Sequence, residues 1–355
     1  MSEQQLNNEL ELLKSRINRP LQVDEPALLA AFQHDQEHEG SLGMKVLSIL
    51  GAFLATIFFL GFVFIADGYE SSVGLVITGL ILLGASFVLS RPKYAGLIAD
   101  AFSVSFVTCG YLMLLVGLAE PLYSGQSIGL AGAVIAGIIL VAYENRIITF
   151  LATVTAAGCL LFLMSDDWGS TGVHGYVGIT AILLTVWFLF EGALLKASPL
   201  LNRRYNGIRT GLLLALLMGA YYLSDFNWWM VLEREPNWYV SLLLIPLVGL
   251  AAWQVLQQFV KEPSHRIAYL AGVLTLLLPT VFAPAICAAL LVLILSWRSG
   301  HRTGAAIAVI ALIYFVSRYY YDLNLTLLTK SMILSVSGVL FLIAYRVLHH
   351  KISPQ

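Results

Sequence analysis

The chain has 355 residues, 59% of them hydrophobic and only 12% charged, with a net charge of −1. A soluble globular domain carries about 25% charged residues, so too few charges are present here to coat a water-facing surface. Mean hydropathy is +0.82; lipid is the expected solvent for most of the surface, and a near-neutral chain gives no electrostatic footprint for nucleic acid.

Residues 1–43 precede the first apolar run and form a polar segment too long for the n-region of a cleavable signal. Leu6, Leu10, Leu13 and Ile17 recur at helical spacing, and Pro20 ends that helix. Asp24 can cap a second helix with Pro26 in its first turn. Two such helices cannot build a core alone. They are expected to pack on each other, on the membrane surface or on a partner.

A spanning helix needs roughly 20 apolar residues. Residues 44–348 supply candidates at 44–66, 71–90, 96–118, 126–143, 147–164, 175–195, 207–224, 238–258, 267–282, 284–297, 304–319 and 330–348, leaving a short tail at 349–355. These runs are continuously apolar rather than alternating, which excludes a β-barrel. The expected fold is an all-α polytopic bundle of about twelve spans.

Orientation follows from Lys and Arg, which concentrate in cytoplasmic loops. With the N-terminus inside, the inner segments carry Arg91 and Lys93, Arg146, Lys196 with Arg203, Arg204 and Arg209, Lys261 and Arg266, Arg298 and Arg302, and Arg346. Of the 20 basic residues only Arg234, Arg318 and Lys330 fall outside. Both termini are therefore expected in the cytoplasm.

Residues 267–297 must supply two crossings from a short, uncharged stretch. At 1.5 Å per residue it gives only about 46 Å of helix, and two full crossings of a roughly 30 Å core need more. Pro279 and Pro284 bracket a turn. Two short helices are favoured; a re-entrant hairpin is the alternative.

Charges inside a bilayer are the first place to look for function. Asp100 and Glu191 each lie about one turn inside a span at its cytoplasmic end, as a candidate proton or cation site or as interfacial carboxylates paired with Lys93 or Lys196. Glu144 and Arg146 read as interfacial. Arg318 and Asp322 stand at i,i+4 around Tyr319, Tyr320 and Tyr321, either an aromatic belt or an outer pocket. The aromatic loop from Asp225 to Leu232 reads as a segment resting on the outer leaflet, or as a docking surface for a periplasmic protein. His34 and His38 at i,i+4 sit among acids and suit zinc poorly; all seven histidines fall in loops or ends. Cys109, Cys159 and Cys287 read as small buried residues. Gly125, Gly129, Ala133 and Gly137 have the spacing that lets helices approach closely. Ser72-Val73-Gly74-Leu75 and Ser127-Ile128-Gly129-Leu130 suggest a weak internal repeat.

Gly51-Ala52-Phe53-Leu54, Phe59-Leu60-Gly61-Phe62 and the stretch from Asp100-Ala101-Phe102 to Gly110-Tyr111-Leu112, preceded by the N-terminal helices, resemble a group of uncharacterised bacterial polytopic membrane proteins classed as domains of unknown function. The resemblance implies a bacterial inner membrane and supplies no activity.

No Walker A loop, HExxH, GxSxG or dinucleotide fingerprint occurs. No enzyme activity, cofactor or metal is expected. The leading reading is a non-catalytic scaffold, assembly or sensing component of an envelope complex, with the bilayer and a membrane or periplasmic protein as partners. A transporter or permease for a small or lipidic substrate is the alternative, and an enzyme acting on lipid-linked substrates ranks last.

Overall fold

The computed structural model describes residues 71–91, 97–225, 238–259, 263–277, 280–281 and 283–322, with a few helical positions on either side at 51, 54–59, 61–62, 335, 338–339 and 342. The N-terminal segment 1–43, most of the expected spans 44–66 and 330–348, the aromatic loop at 226–237 and the tail 349–355 lie outside the described residues.

Every bounded element is a helix: α1 Ser72–Leu89, α2 Leu97–Leu122, α3 Gly125–Ala142, α4 Arg146–Leu189, α5 Glu191–Ala197, α6 Pro199–Asp225, α7 Trp238–Phe259, α8 Pro263–Leu277, α9 Pro284–Arg298 and α10 Arg302–Asp322. No strand occurs among the described residues. Seven of these helices are long and apolar enough to cross a membrane. Side-chain hydroxyls and amides start several of them. Ser71 accepts the Gly74 N–H at 3.1 Å, Ser124 accepts the Ser127 N–H at 3.2 Å, and Asn145 accepts the Ile147 N–H at 2.9 Å. The two Ser-x-Gly-Leu quartets stand at different registers, Ser72 as the first residue of α1 and Ser127 as the third of α3.

The chain divides into two compact units, Met1–Gly117 and Leu118–Gln355. In the first, α1 and α2 run antiparallel along a seam of small residues. A Cβ on Gly79 would meet the Gly110 carbonyl at 2.9 Å, and one on Gly117 would meet the Ser72 carbonyl at 2.8 Å. Further along, the Ser86 hydroxyl donates to the Ser103 carbonyl at 2.8 Å, and Ser103 donates back to Ser86 at 3.2 Å. Both serines are buried.

In the second unit α4 spans 44 residues, but Gly169 breaks it with φ 55° and ψ −132°, a conformation open to glycine and strained for other residues. The break reverses the chain. Residues 146–168 run alongside α6 in the same direction, since Thr149 meets Gly207 and Thr153 meets Gly211. Residues 170–189 run against α6, since Tyr176 meets Gly219 and Trp187 stacks on Tyr205. The single apolar element is thus two helices, in accord with the separate spans expected at 147–164 and 175–195. A Cβ on Gly172 would run into the Met164 carbonyl, so the arms close tightly at the turn.

The stretch 267–297 forms two 15-residue helices, α8 and α9. Each is about 22 Å long at 1.5 Å per residue, short of a roughly 30 Å hydrocarbon core. The reason α9 can be short is its position. It packs against α4, α6, α7 and α10, and nine of its 15 residues are buried. Its neighbours are protein, so its length need not match the lipid. Leu291, Val292 and Leu295 are fully enclosed, with Leu213, Leu216, Leu244 and Val248 in the same core.

In α3 the buried stripe is Gly129, Gly132, Ala136 and Ile139. Gly125 and Gly129 lie against Phe162 and Leu163 as small residues should, whereas Gly137 faces open space. The contact face rotates away from the i+4 series because a 3.6-residue period drifts off any fixed spacing of four.

Candidate functional site

The four residues singled out from sequence fall in different places. Asp100 belongs to the first unit, in the first turn of α2, and is exposed. Glu191, Arg318 and Asp322 belong to the second. Arg318 is half-buried in the last turns of α10, which ends at Asp322. Beside it the rings of Tyr320 and Tyr321 pack edge to face at 5.6 Å. Glu191 is the one around which further charged and aromatic side chains converge.

That convergence begins with α6. The sequence pattern starts this span at 207 and assigns Arg209 to the preceding inner segment, but the helix begins at Pro199. Arg209 therefore sits ten residues into a membrane-length helix, about 15 Å from its start, and is only 7% exposed. Its Nη1 donates to Glu191 Oε1 at 3.3 Å. Glu191 lies in the first turn of α5, one-third exposed on its side chain. Lys196, at the other end of α5, is not the residue that pairs with it.

Two rings cover the guanidinium. Its central carbon stands 5.5 Å from the Phe188 ring centroid and 5.2 Å from that of Tyr205. A desolvated cation over an aromatic face gains about 2 kcal/mol. Tyr205 is one helical turn before Arg209, which places both on one face. Its hydroxyl donates to the Trp187 carbonyl at 3.3 Å, and its ring stacks on the Trp187 indole at 5.7 Å. The arrangement is not saturated: Arg209 Nε and Trp187 Nε1 are buried without a hydrogen-bond partner.

The link between α9 and α10 completes the cluster. Gly300, at φ +67°, turns the chain so that His301 caps α10. The Gly304 N–H donates to His301 Nδ1 at 3.2 Å, and the His301 N–H donates to the Ser296 carbonyl at 2.9 Å. Accepting that bond requires an unprotonated Nδ1. Burial first, and then the Arg209 charge, hold the imidazole below its ordinary range. Ser296 is fully buried with its hydroxyl unpartnered.

Other basic residues near this end hold helix termini. Arg204 donates to the carbonyls of Tyr143 at 2.9 Å and Val141 at 2.6 Å, satisfying acceptors that the end of α3 leaves open. Arg203 pairs with Glu144 at 2.5 Å; both are exposed, so the pair adds little stability. At the opposite end of α3, Gln126 bonds to Asp167.

His174 also departs from the sequence expectation. It lies in the second arm of α4, not in a loop, and is 9% exposed. Its Nδ1 is 2.6 Å from the Ser170 carbonyl, and its Nε2 is buried without a partner.

Sequence reasoning missed Arg209, Tyr205, His301 and His174 as site residues. One signal was present for the first pair: no proline interrupts residues 200–225, so Tyr205 and Arg209 belong to the same continuous helix. For His174 the expected spans 147–164 and 175–195 leave ten residues between them as a loop, whereas the turn uses little more than Gly169.

Fold and cluster together define an α-helical membrane protein with an ion pair between a buried arginine and a partly exposed glutamate near one end of its larger unit. The chain belongs to the family defined by DUF4401, a domain of unknown function, whose model matches residues 42–351. No curated protein and no solved structure matches it.

Proposed function

We propose that the chain is a multi-pass protein of a bacterial inner membrane, crossing about twelve times with both termini cytoplasmic, and that it is a non-catalytic scaffold, assembly or sensing component of an envelope complex. The crossing number is supported by the seven long helices with α4 counted twice, by α8 and α9, and by the two outermost runs of the sequence. The orientation is supported by the way segments read as inner from their basic residues pair with one another: Glu144 with Arg203, and Glu191 with Arg209.

The observation that carries the scaffold reading is the use of the charged groups. In the larger unit Arg203, Arg204 and Arg209 bind the ends of neighbouring helices, and the core around α9 is closed by apolar side chains. Such a body is built to hold a shape and present surfaces. Affinity purification of the full chain from native membranes in mild detergent tests this. A stoichiometric envelope protein should accompany it; a chain recovered alone from every preparation would overturn the reading.

A transporter is the second reading, favoured by one feature: the Glu191–Arg209 pair lies within the apolar bundle with His301 close by. Protonation of Glu191 would release the arginine toward an anion, or toward a different helix arrangement. If Glu191→Gln and Asp100→Asn leave every uptake and efflux phenotype of a deletion strain fully complemented, coupling through these carboxylates is excluded.

A further inference from the structure

Where α3 stops, the second unit gathers three arginines around one acid. The link Tyr143-Glu144-Asn145-Arg146 joins α3 to α4, and the early residues of α6 lie beside it: the Arg146 carbonyl stands 2.7 Å from the position of a Cβ on Gly207. Arg203 and Arg204, about one turn before Gly207, both reach the link. Arg204 donates from Nε to the Tyr143 carbonyl and from Nη2 to that of Val141. Arg203 donates from Nη1 to Glu144, and its side chain is 63% exposed. Arg146 is exposed, and its guanidinium has no partner among the described residues. Among those residues Glu144 is the one carboxylate bonded to any of the three arginines.

The positive charge left over faces outward. A guanidinium holds five N–H donors in a planar fork that fits phosphate oxygens two at a time. Arg146 has its whole fork to offer, and Arg203 has Nε and Nη2. Below them the surface is apolar. Val134, Ile138 and Val141 are exposed along one face of α3, three or four residues apart, and Ile147 is exposed next to Arg146. Gly137, in the same stretch, has nothing within 4 Å. The other face of α3 is the buried one. The open stripe therefore runs up to the last turn of α3, where Arg204 holds the Val141 carbonyl.

We propose that the α3–α4 link and the start of α6 bind an anionic phospholipid, its phosphate held by Arg146 and Arg203 and an acyl chain lying along Val141, Ile138 and Val134. The proposal rests on the reading that the chain is embedded in a bilayer. Basic clusters at the ends of spans recognise phosphate headgroups. An exposed Arg–Glu pair adds little stability, so Arg203 can share its fork with a phosphate at small cost. A zwitterionic lipid fits less well, because its own cation meets two arginines. An acidic protein segment would match the charge but has no acyl chain for the apolar stripe.

The test uses the full chain reconstituted into nanodiscs with equal phosphatidylglycerol and phosphatidylcholine of identical acyl chains. Release into detergent and native mass spectrometry then identify the lipid that stays bound. The wild type should retain phosphatidylglycerol in preference to phosphatidylcholine. Arg146→Gln and Arg203→Gln should each lower that preference about five-fold, the worth of one arginine beside an anionic headgroup. Arg146→Lys keeps the charge and should keep most of the preference. Arg302→Gln removes an equal charge from an exposed position at the start of α10 and should leave the preference at the wild-type value. All four exchanges fall on exposed side chains, so the fold should be intact. Equal retention of both lipids by the wild type would overturn the proposal. So would an equal fall in Arg302→Gln, which would mean a general attraction of the basic end, or release of the lipid by excess inorganic phosphate, which would mean a soluble anion is the ligand. Failure of the chain to enter nanodiscs at all would instead overturn the membrane reading on which the proposal rests.

Discussion

Between α1 and α2 the closest contacts recur every seven residues: Ser72 with Gly117, Gly79 with Gly110, Ser86 with Ser103. Backbone meets backbone, and only three of the 18 residues of α1 are buried. Around α9 the pattern is reversed. Apolar side chains from four helices, Leu213, Leu216, Leu244 and Val248 among them, enclose a fifth. Lipid tails are as apolar as leucine, so apolar burial alone does not drive helices together in a membrane. The first unit answers with close approach and exchanged serine hydrogen bonds. The second encloses most of one helix in protein and ties helix ends with arginines.

Close approach makes the α1–α2 seam sensitive to added volume. In Gly79→Leu the new side chain starts 2.9 Å from the Gly110 carbonyl and from Leu114 Cγ, where neither backbone can yield. A loss of about 3 kcal/mol is expected, visible as a much lower melting temperature in detergent by tryptophan fluorescence. Gly84→Leu, on the same helix with nothing within 4 Å, should melt like wild type. Equal melting of the two variants would break the seam model.

The second unit should be sensitive to charge, and unequally so for the two partners of one pair. Glu191→Ala leaves a guanidinium that is 7% exposed without its carboxylate. Removing one partner of a fully buried pair costs roughly 3–5 kcal/mol; the partial exposure of Glu191 lowers the expectation to about 2 kcal/mol. Arg209→Met leaves a carboxylate that water already reaches and an apolar side chain under two rings, so its loss should be smaller. If Arg209→Met proved the more damaging, the aromatic contacts rather than the ion pair would be holding α5 to α6.

The smallest effect is a pH dependence at His301. Its folded pKa lies below the ordinary value of 6.5, so the folded state binds this proton less readily than the unfolded chain. The stabilisation is complete above the ordinary value and is lost as pH falls beneath it, until the folded group also titrates. Melting temperature should therefore drop between about pH 7.5 and 5.5, the range over which an ordinary histidine titrates. His301→Asn keeps a capping acceptor that does not titrate in this range, and should flatten the drop. An unchanged slope in this variant would assign the effect to another group.

Much of this organisation was legible beforehand. Runs of apolar residues bounded by Arg and Lys located the helices, since both hydropathy and the positive-inside bias are properties of local sequence. Glu191 was visible as a charge in an apolar setting. Its partner was not, because the start of α6 was judged by where polarity ends. The chain is helical from Pro199 through Asn202, Arg203 and Arg204, residues that can stay at the interface while the helix axis continues past them.

The sequence by itself determined that the described residues are helical, that the chain is a membrane protein, and where the described helices begin and end to within about two turns. These follow from composition and short-range periodicity. Only the tertiary structure decided that the turn between the two arms of α4 falls at Gly169, that most of α9 is enclosed by protein, and that Arg209 from α6, Glu191 from α5 and His301 from a link more than ninety residues later share one end of the bundle. Those are long-range facts. They depend on which faces of distant helices fit together, and no local pattern of residue types encodes that pairing.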